Sequence, residues 1–322
     1  MRIFTAEDVD RILSYPALVD VLDAAFRDEI EAPLRHHHTI DRGERADGVM
    51  LLMPAWSKLA GNDNGYLGVK LVNVYPDNGE IGEPGVQAAY ILMNGRTGAP
   101  LAMIDGKTLT TWRTAGASAL AARYLARPDT AKMVMVGAGA MAPYLIRAHA
   151  SVRPITQVTI WNRTVENAVG IAERLDPLLP EIAFSVSEDL ESAVREADLI
   201  SCATFSNDPL VKGAWLKPGA HLDLVGAFTP SMRESDDEAV RRSSVFVDTR
   251  IGALVEGGDV VLPIKDGVIT SDDVKADLFD LCRSTHPGRA SADEITFFKS
   301  TGASLEDLAA AIHLYEQADA TN

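Results

Sequence analysis

Lys70 interrupts an apolar run, Gly68-Val-Lys-Leu-Val-Asn-Val-Tyr-Pro-Asp-Asn78, that otherwise reads as a strand. A desolvated ammonium gives up its proton more readily, so a lysine placed there can donate or accept a proton near neutrality; the plainer alternative is a lysine snorkelling from an edge strand. Arg113 lies in Leu109-Thr-Thr-Trp-Arg-Thr-Ala-Gly-Ala-Ser118. That segment reads as the first turn of a helix, where a cation opposes the dipole and calls for an anion. A bound carboxylate gripped bidentately would supply one, and so would a buried aspartate.

A third feature is Met133-Val-Met-Val-Gly-Ala-Gly-Ala-Met-Ala142, an apolar run that ends in Gly137 and Gly139 and passes into a helical segment. Strand, tight turn and helix start in that order form a dinucleotide fingerprint. Gly137 permits the turn, Gly139 lets backbone N–H groups approach a pyrophosphate, and Ala140 and Met141 lead to Ala142 at the third small position. The unsatisfied donors of the helix N-terminus face the phosphates. About 20 residues on, where such a fold reads the ribose, the second strand ends in Asn162-Arg163-Thr164 with no acid. An arginine and a hydroxyl suit a 2′-phosphate that a carboxylate would repel, so NADPH is favoured with NADH possible; the alternative is a solvated helix cap.

These residues need elements to hold them. Apolar spacing gives one or two helices up to Ile30, with a cap at Thr5 to Glu7. Short strands follow at Arg35 to Ile40, Val49 to Pro54, Tyr66 to Val74, Gln87 to Asn94 and Pro100 to Ile104, which suit an antiparallel sheet. A long helix, Leu109 to Ala126, stops before Arg127-Pro128-Asp129. From Lys132 strands and helices alternate, as in a doubly wound parallel sheet, and Ser304 to Gln317 closes the chain as an amphipathic helix. The expected fold is α/β. A substrate-binding and dimerisation domain of α+β type, 1–127, is rejoined by 301–322, and a Rossmann domain spans 128–300.

The chain has 322 residues and a formal charge of -16, which argues against nucleic acid and anionic membranes as partners. Two cysteines, Cys202 and Cys282, make no disulfide framework and fit a reducing cytoplasm. No apolar stretch approaches a membrane span. Arg35-His-His-His38 lacks supporting ligands, so no metal is expected.

Taken together, Lys70-Leu-Val-Asn with Pro76 and Asn78, Leu109 to Ser118, the Gly137 turn, Val225-Gly-Ala-Phe-Thr-Pro230 with Glu234, and Ile295-Thr-Phe-Phe-Lys-Ser-Thr-Gly302 resemble the ornithine cyclodeaminase/mu-crystallin family over nearly the whole chain. The resemblance implies a substrate carboxylate gripped by Arg113 with Arg35 and Lys70 nearby, Lys70 as proton donor, and a homodimer built through the substrate domain. On the cofactor it implies Arg113, Thr204, Val225, Gly226 and Ser300 alongside the Gly137 turn. Phe228 departs from the pattern, since resembling cyclodeaminases carry an aspartate there. A phenyl ring moves no proton but can wall an apolar pocket around a ring substrate. The expected reaction is therefore NAD(P)H-dependent reduction of a cyclic imino acid, Δ1-pyrroline-2-carboxylate or its six-membered homologue. Ornithine cyclodeaminase, a linear amino-acid dehydrogenase and a non-catalytic cofactor-binding protein are the alternatives.

Overall fold

The computed structural model describes residues 1–57 and 65–320, so the last two residues of the 301–322 segment lie outside the described residues. The chain opens with β1 (Arg2–Phe4), α1 (Ala6–Ile12) and α2 (Tyr15–Arg27). The expected cap is Thr5: the Asp8 N–H donates to its hydroxyl (3.3 Å) while its own N–H donates to the Asp8 carboxylate (3.1 Å). Along α2, Leu18, Val19, Leu22 and Phe26 recur at helical spacing and are completely buried.

The next strands are β2 (Ile30–Glu31), β3 (His36–Ile40), β4 (Gly48–Ser57), β5 (Tyr66–Val74), β6 (Val86–Asn94) and β7 (Pro100–Asp105). They form a sheet ordered β1-β7-β6-β5-β4-β2, with β3 also on β4. The pairings are antiparallel, as expected, except for β1 on β7, which is parallel. A strand as short as β1 shows no period to read. Alternation along β5 turns Gly68, Lys70 and Val72 to the buried face and leaves Val69 and Leu71 half-buried on the other.

Helix α3 (Gly106–Leu125) follows. It begins ahead of Leu109, because Asp105 accepts the Thr108 N–H (2.7 Å) as a cap. Arg113 is therefore about two turns into the helix, not in its first turn.

The remaining elements are β8 (Lys132–Val136), α4 (Ala142–Val152), β9 (Gln157–Trp161), α5 (Val165–Leu175), β10 (Ala183–Val186), α6 (Leu190–Glu196), β11 (Leu199–Cys202), β12 (His221–Leu224), α7 (Asp237–Arg242), β13 (Ser244–Val247), α8 (Arg250–Glu256), α9 (Gly258–Lys265), β14 (Val274–Asp277), α10 (Leu278–Cys282), β15 (Thr296–Lys299) and α11 (Ser304–Ala320). Strands β8 to β15 make an eight-stranded sheet ordered β10-β9-β8-β11-β12-β15-β13-β14, parallel throughout. Parallel strands are covered on both faces, so β11 and β12 are buried along their full length. The order reverses between β8 and β11, and ligands of doubly wound sheets bind at the carboxyl ends of the strands at such a switch.

The chain forms two compact units, Met1–Arg113 with Ala303–Asn322, and Thr114–Gly302. The division falls inside α3 and not after it at 127. The C-terminal end of α3 is bonded within the second unit: Arg153 Nη2 donates to the carbonyls of Ala122, Arg123 and Ala126 (2.7, 2.7 and 3.0 Å), and the Thr296 hydroxyl donates to that of Leu125 (3.0 Å). The Pro128 break ends a helix without ending a domain. In the first unit α11 packs on α2 and on β4, β5 and β6, burying Leu305, Leu308 and Leu314. Among the described residues no helix is long and apolar enough to cross a membrane.

Candidate active site

Lys70 occupies the middle of β5, opposite Met53 on β4 and Tyr90 on β6, and is 1% exposed. A charge so deep requires a counter-ion. Asp307 supplies it, with Nζ 2.9 Å from Oδ1 and 2.8 Å from Oδ2. The same Asp307 Oδ1 accepts from Arg113 Nε (2.9 Å), and Glu306 accepts from Arg113 Nη1 (2.8 Å). Both acids are completely buried in the first turn of α11, where the helix dipole favours negative charge.

Of the two ways to offset Arg113, the protein contains the buried carboxylate, so no ligand is needed to hold the guanidinium in place. Arg113 gives two of its five N–H donors to the acids and Lys70 donates to Asp307, which leaves donors on both cations for a ligand. The Lys70 pKa is lowered to about 8, chiefly by burial and then by Arg113, with Asp307 opposing and Arg35 adding a smaller push downwards. Burial also works against the Arg113 charge, but Asp307 and Glu306 outweigh it and hold the guanidinium above its ordinary value. Lys70 is thus poised to exchange a proton near neutrality while Arg113 stays a fixed cation.

Arg35 is half-buried just before β3 and reaches this cluster through its charge. The histidines His36, His37 and His38 are exposed on β3. Among the described residues no three His, Cys, Asp or Glu side chains are grouped to hold a metal ion. Sequence reading missed Glu306 and Asp307. Their signal was two acids in the first turn of a helix, which reads equally well as an ordinary helix start.

In the second unit the turn after β8 has the form its glycines call for. Gly137 has φ +105°, and a Cβ there would lie 2.7 Å from the Ala203 carbonyl beyond β11. Its N–H donates to the Trp161 carbonyl (2.8 Å), and the Ala138 N–H donates to Asn162 Oδ1 (3.1 Å). Asn162 therefore braces the turn from the end of β9. Around Gly139 nothing stands within 4 Å of where a Cβ would be, and both Gly139 and Ala140 are exposed ahead of Met141 at the start of α4. An open backbone at a helix N-terminus at the sheet's switch point fits a dinucleotide pyrophosphate. Arg163 and Thr164 are exposed, and the Thr164 side chain makes no capping bond.

Thr204 follows β11, and Val225 and Gly226 follow β12, at the same edge of the sheet. Ser300, after β15, is buried with its hydroxyl on Asp248 Oδ2 (3.4 Å), so it is less available to a cofactor than the exposed residues of the turn. Phe228 is 45% exposed and packs edge-on against Phe205, with centroids 6.0 Å apart. Phe205, 82% exposed, had no signal in sequence beyond its aromatic type. Arg113, expected at both substrate and cofactor, belongs to the first unit and the other expected cofactor residues to the second.

The model of the ornithine cyclodeaminase/mu-crystallin family matches residues 1–322. Δ1-Pyrroline-2-carboxylate reductase of Paracoccus denitrificans is 39% identical over 298 residues, 90% of this chain and 92% of that protein. Among solved structures, Δ1-pyrroline-2-carboxylate reductase of Thermococcus litoralis, in complex with NADH and L-proline, aligns with a TM-score of 0.92 at 33% identity, covering 100% of this chain and 98% of the other. An archaeal alanine dehydrogenase dimer with bound NAD aligns with a TM-score of 0.89 at 31% identity, covering 100% and 97%.

Proposed function

This chain belongs to the ornithine cyclodeaminase/mu-crystallin family, and on that premise we propose that it uses NAD(P)H to reduce cyclic ketimines carrying a 2-carboxylate. The substrates are Δ1-pyrroline-2-carboxylate or Δ1-piperideine-2-carboxylate, and the products L-proline or L-pipecolate. The observation that carries the reading is the buried pairing of Lys70 and Arg113 on one acid, Asp307.

The remaining Arg113 N–H groups bind and orient the substrate carboxylate, aided by the charge of Arg35. Lys70 holds a proton for the imine nitrogen, and a protonated imine is the better electrophile. A pKa near 8 keeps Lys70 mostly charged at neutral pH yet willing to share its proton. Asp307 keeps the ammonium in register with the guanidinium. The reduced nicotinamide, when bound, supplies the hydride. Phe228 offers no carboxylate to take protons from an amine, which favours reduction of a preformed imine over oxidation and cyclisation of ornithine.

For the cofactor, the open Gly139 backbone supports a pyrophosphate. Arg163, with Thr164 and no acid beside it, supports NADPH over NADH. A homodimer is supported by the outer face of the first unit's sheet, where Ile3, Met103, Ile91 and Val69 stand in register as an apolar row, Ile3 65% exposed. A second copy would cover that row. The buried free thiols of Cys202 and Cys282 fit the cytoplasm.

The test is consumption of NADPH and of NADH with each cyclic imine, with pyruvate plus ammonia and with pyruvate plus methylamine, side by side. Fast turnover of cyclic imines alone supports the reading. Preference for pyruvate plus ammonia would make the protein a linear amino-acid dehydrogenase.

A further inference from the structure

Glu234 has no part in the chemistry above, yet it is completely buried and bonded at both oxygens. Oε1 accepts from the Thr204 N–H (2.7 Å) and the Thr204 hydroxyl (2.8 Å), and Oε2 accepts from the Gly226 N–H (2.7 Å). Thr204 and Gly226 lie just beyond the adjacent parallel strands β11 and β12, so one carboxylate ties the roots of two loops together. The fit is close: a Cβ on Gly226 would lie 2.1 Å from the Thr204 carbonyl oxygen and 2.5 Å from Glu234 Oε1. Each loop carries one member of the aromatic pair, Phe205 next to Thr204 and Phe228 bonded back through its N–H to the Gly226 carbonyl (3.0 Å).

The backbone that carries Glu234 is itself held. Asp259 Oδ1 on α9 accepts the Glu234 N–H (2.9 Å) and the Ser235 N–H (3.0 Å), and Lys299 Nζ on β15 stands 3.6 Å from Asp259 Oδ2 while donating to the Leu224 carbonyl (3.1 Å). Removing a buried carboxylate from water costs several kcal/mol, on the order of what three charge-assisted bonds return, so stability alone gives little reason for an acid here. What an acid gives that an apolar side chain cannot is a fixed direction for three donors.

That direction matters at this edge. The pyrophosphate turn follows β8, and Asn162 and Arg163 on the β9 side would meet the adenosine half. The nicotinamide half then extends over the ends of β11 and β12. We propose that Glu234 is a positioning residue that fixes the Thr204 and Gly226 backbones in the arrangement that receives the nicotinamide half of the dinucleotide. This rests on reading the second unit as dinucleotide-binding.

The arrangement requires the ionised form. Burial pushes the Glu234 carboxyl up to about 7; the Lys299 ammonium and the Thr204 bonds oppose the rise and the Asp259 carboxylate adds to it. The neighbouring Cys202 thiol on β11 is pushed up by burial and by Glu234, and stays neutral. A proton on Glu234 turns an acceptor oxygen into a donor facing an N–H group and loses a bond.

The experiment measures dinucleotide binding by the full-length protein without substrate, by calorimetry, for wild type, Glu234→Gln and Glu234→Asp. NADH is the probe for the pH series, since the 2′-phosphate of NADPH titrates near pH ~6 itself. Wild-type affinity for NADH should fall as pH drops from about 8 to about 6, as the carboxylate is lost. Glu234→Gln should bind NADH and NADPH about tenfold or more weakly with a flat pH series, and Glu234→Asp should keep a pH-dependent series. A wild-type series that is flat overturns the proposal whether or not the variants fold, as does a Glu234→Gln protein that binds within about twofold of wild type. A merely structural Glu234 would lower Tm and leave affinity in the folded fraction unchanged. Wild type that binds neither NADH nor NADPH overturns the dinucleotide reading itself, and this proposal with it.

Discussion

Asp307→Asn removes one negative charge from between Lys70 and Arg113 with almost no change of shape. Asp307 Oδ1 lies 2.9 Å from both Lys70 Nζ and Arg113 Nε. Each pair is worth about 6 kcal/mol at an effective dielectric of about 20, and about 1.4 kcal/mol even at that of water. At ~1.4 kcal/mol per pH unit, the lower figure already takes the Lys70 pKa down by about one unit from its value of about 8. Arg113 remains beside it, now countered by Glu306 without Asp307, and pushes the same way. The working acid is the protonated lysine, present below its pKa and lost as pH rises through it. Losing the anion therefore moves the alkaline limb of kcat/KM to lower pH. For Δ1-pyrroline-2-carboxylate the limb should shift from near 8 to about 7 or below, and kcat/KM at pH ~8 should drop about fivefold or more, with Tm lowered by the uncompensated charge. The assay is kcat/KM against pH from about 6 to about 9.5 for wild type and variant, with Tm measured in parallel. A folded Asp307→Asn enzyme whose alkaline limb stays near 8 would refute the assignment of that limb to Lys70.

Lys70→Met keeps the length of the side chain and removes its proton; kcat for imine reduction should fall about 100-fold or more while NADPH binding is retained, as stopped-flow turnover and equilibrium titration will read. Arg163→Ala should shift the ratio of kcat/KM for NADPH over NADH about tenfold or more towards NADH, and an unchanged ratio removes Arg163 from the 2′-phosphate. The wild type should form no proline from L-ornithine with NAD, and Phe228→Asp should reduce imines more slowly because it adds a charge to an aromatic contact. Proline released from ornithine at a rate comparable with imine reduction would overturn the reductase reading.

The parallel sheet was legible because doubly covered strands read as apolar runs, and the Gly137 turn because only glycine tolerates its backbone angle. The antiparallel strands were legible through alternation and their turn residues. The strands β1, β2 and β14 and the helices α7 to α10 are too short to show a period. At the site, Lys70 and Arg113 stood out because a cation in an apolar run is costly. Their partners did not, because Asp307 is bonded to a residue 237 positions away and nothing local distinguishes it from a surface acid. Arg113 was set too near the helix start because the cap is Asp105, whose carboxylate lies outside the apolar stretch. Asn162 was read for its lack of charge towards a ribose, whereas its amide also braces the turn at Ala138, a contact that exists only once β8 and β9 pair.

The first unit is assembled from two segments separated by the whole of the second, which has a consequence for how the protein is made. The strand that carries Lys70 leaves the ribosome well before α11, whose Asp307 lies 237 positions after Lys70. Until then two cations destined for a dry interior have no anions to meet them, and the sheet lacks the helix that covers β4, β5 and β6. The contiguous segment Thr114–Gly302 can complete its own sheet during synthesis, while the N-terminal segment waits. A nascent chain stalled before Ser304 should therefore hold a protease-resistant central core and an N-terminal segment that is still open to digestion, a ready substrate for chaperones until α11 is made.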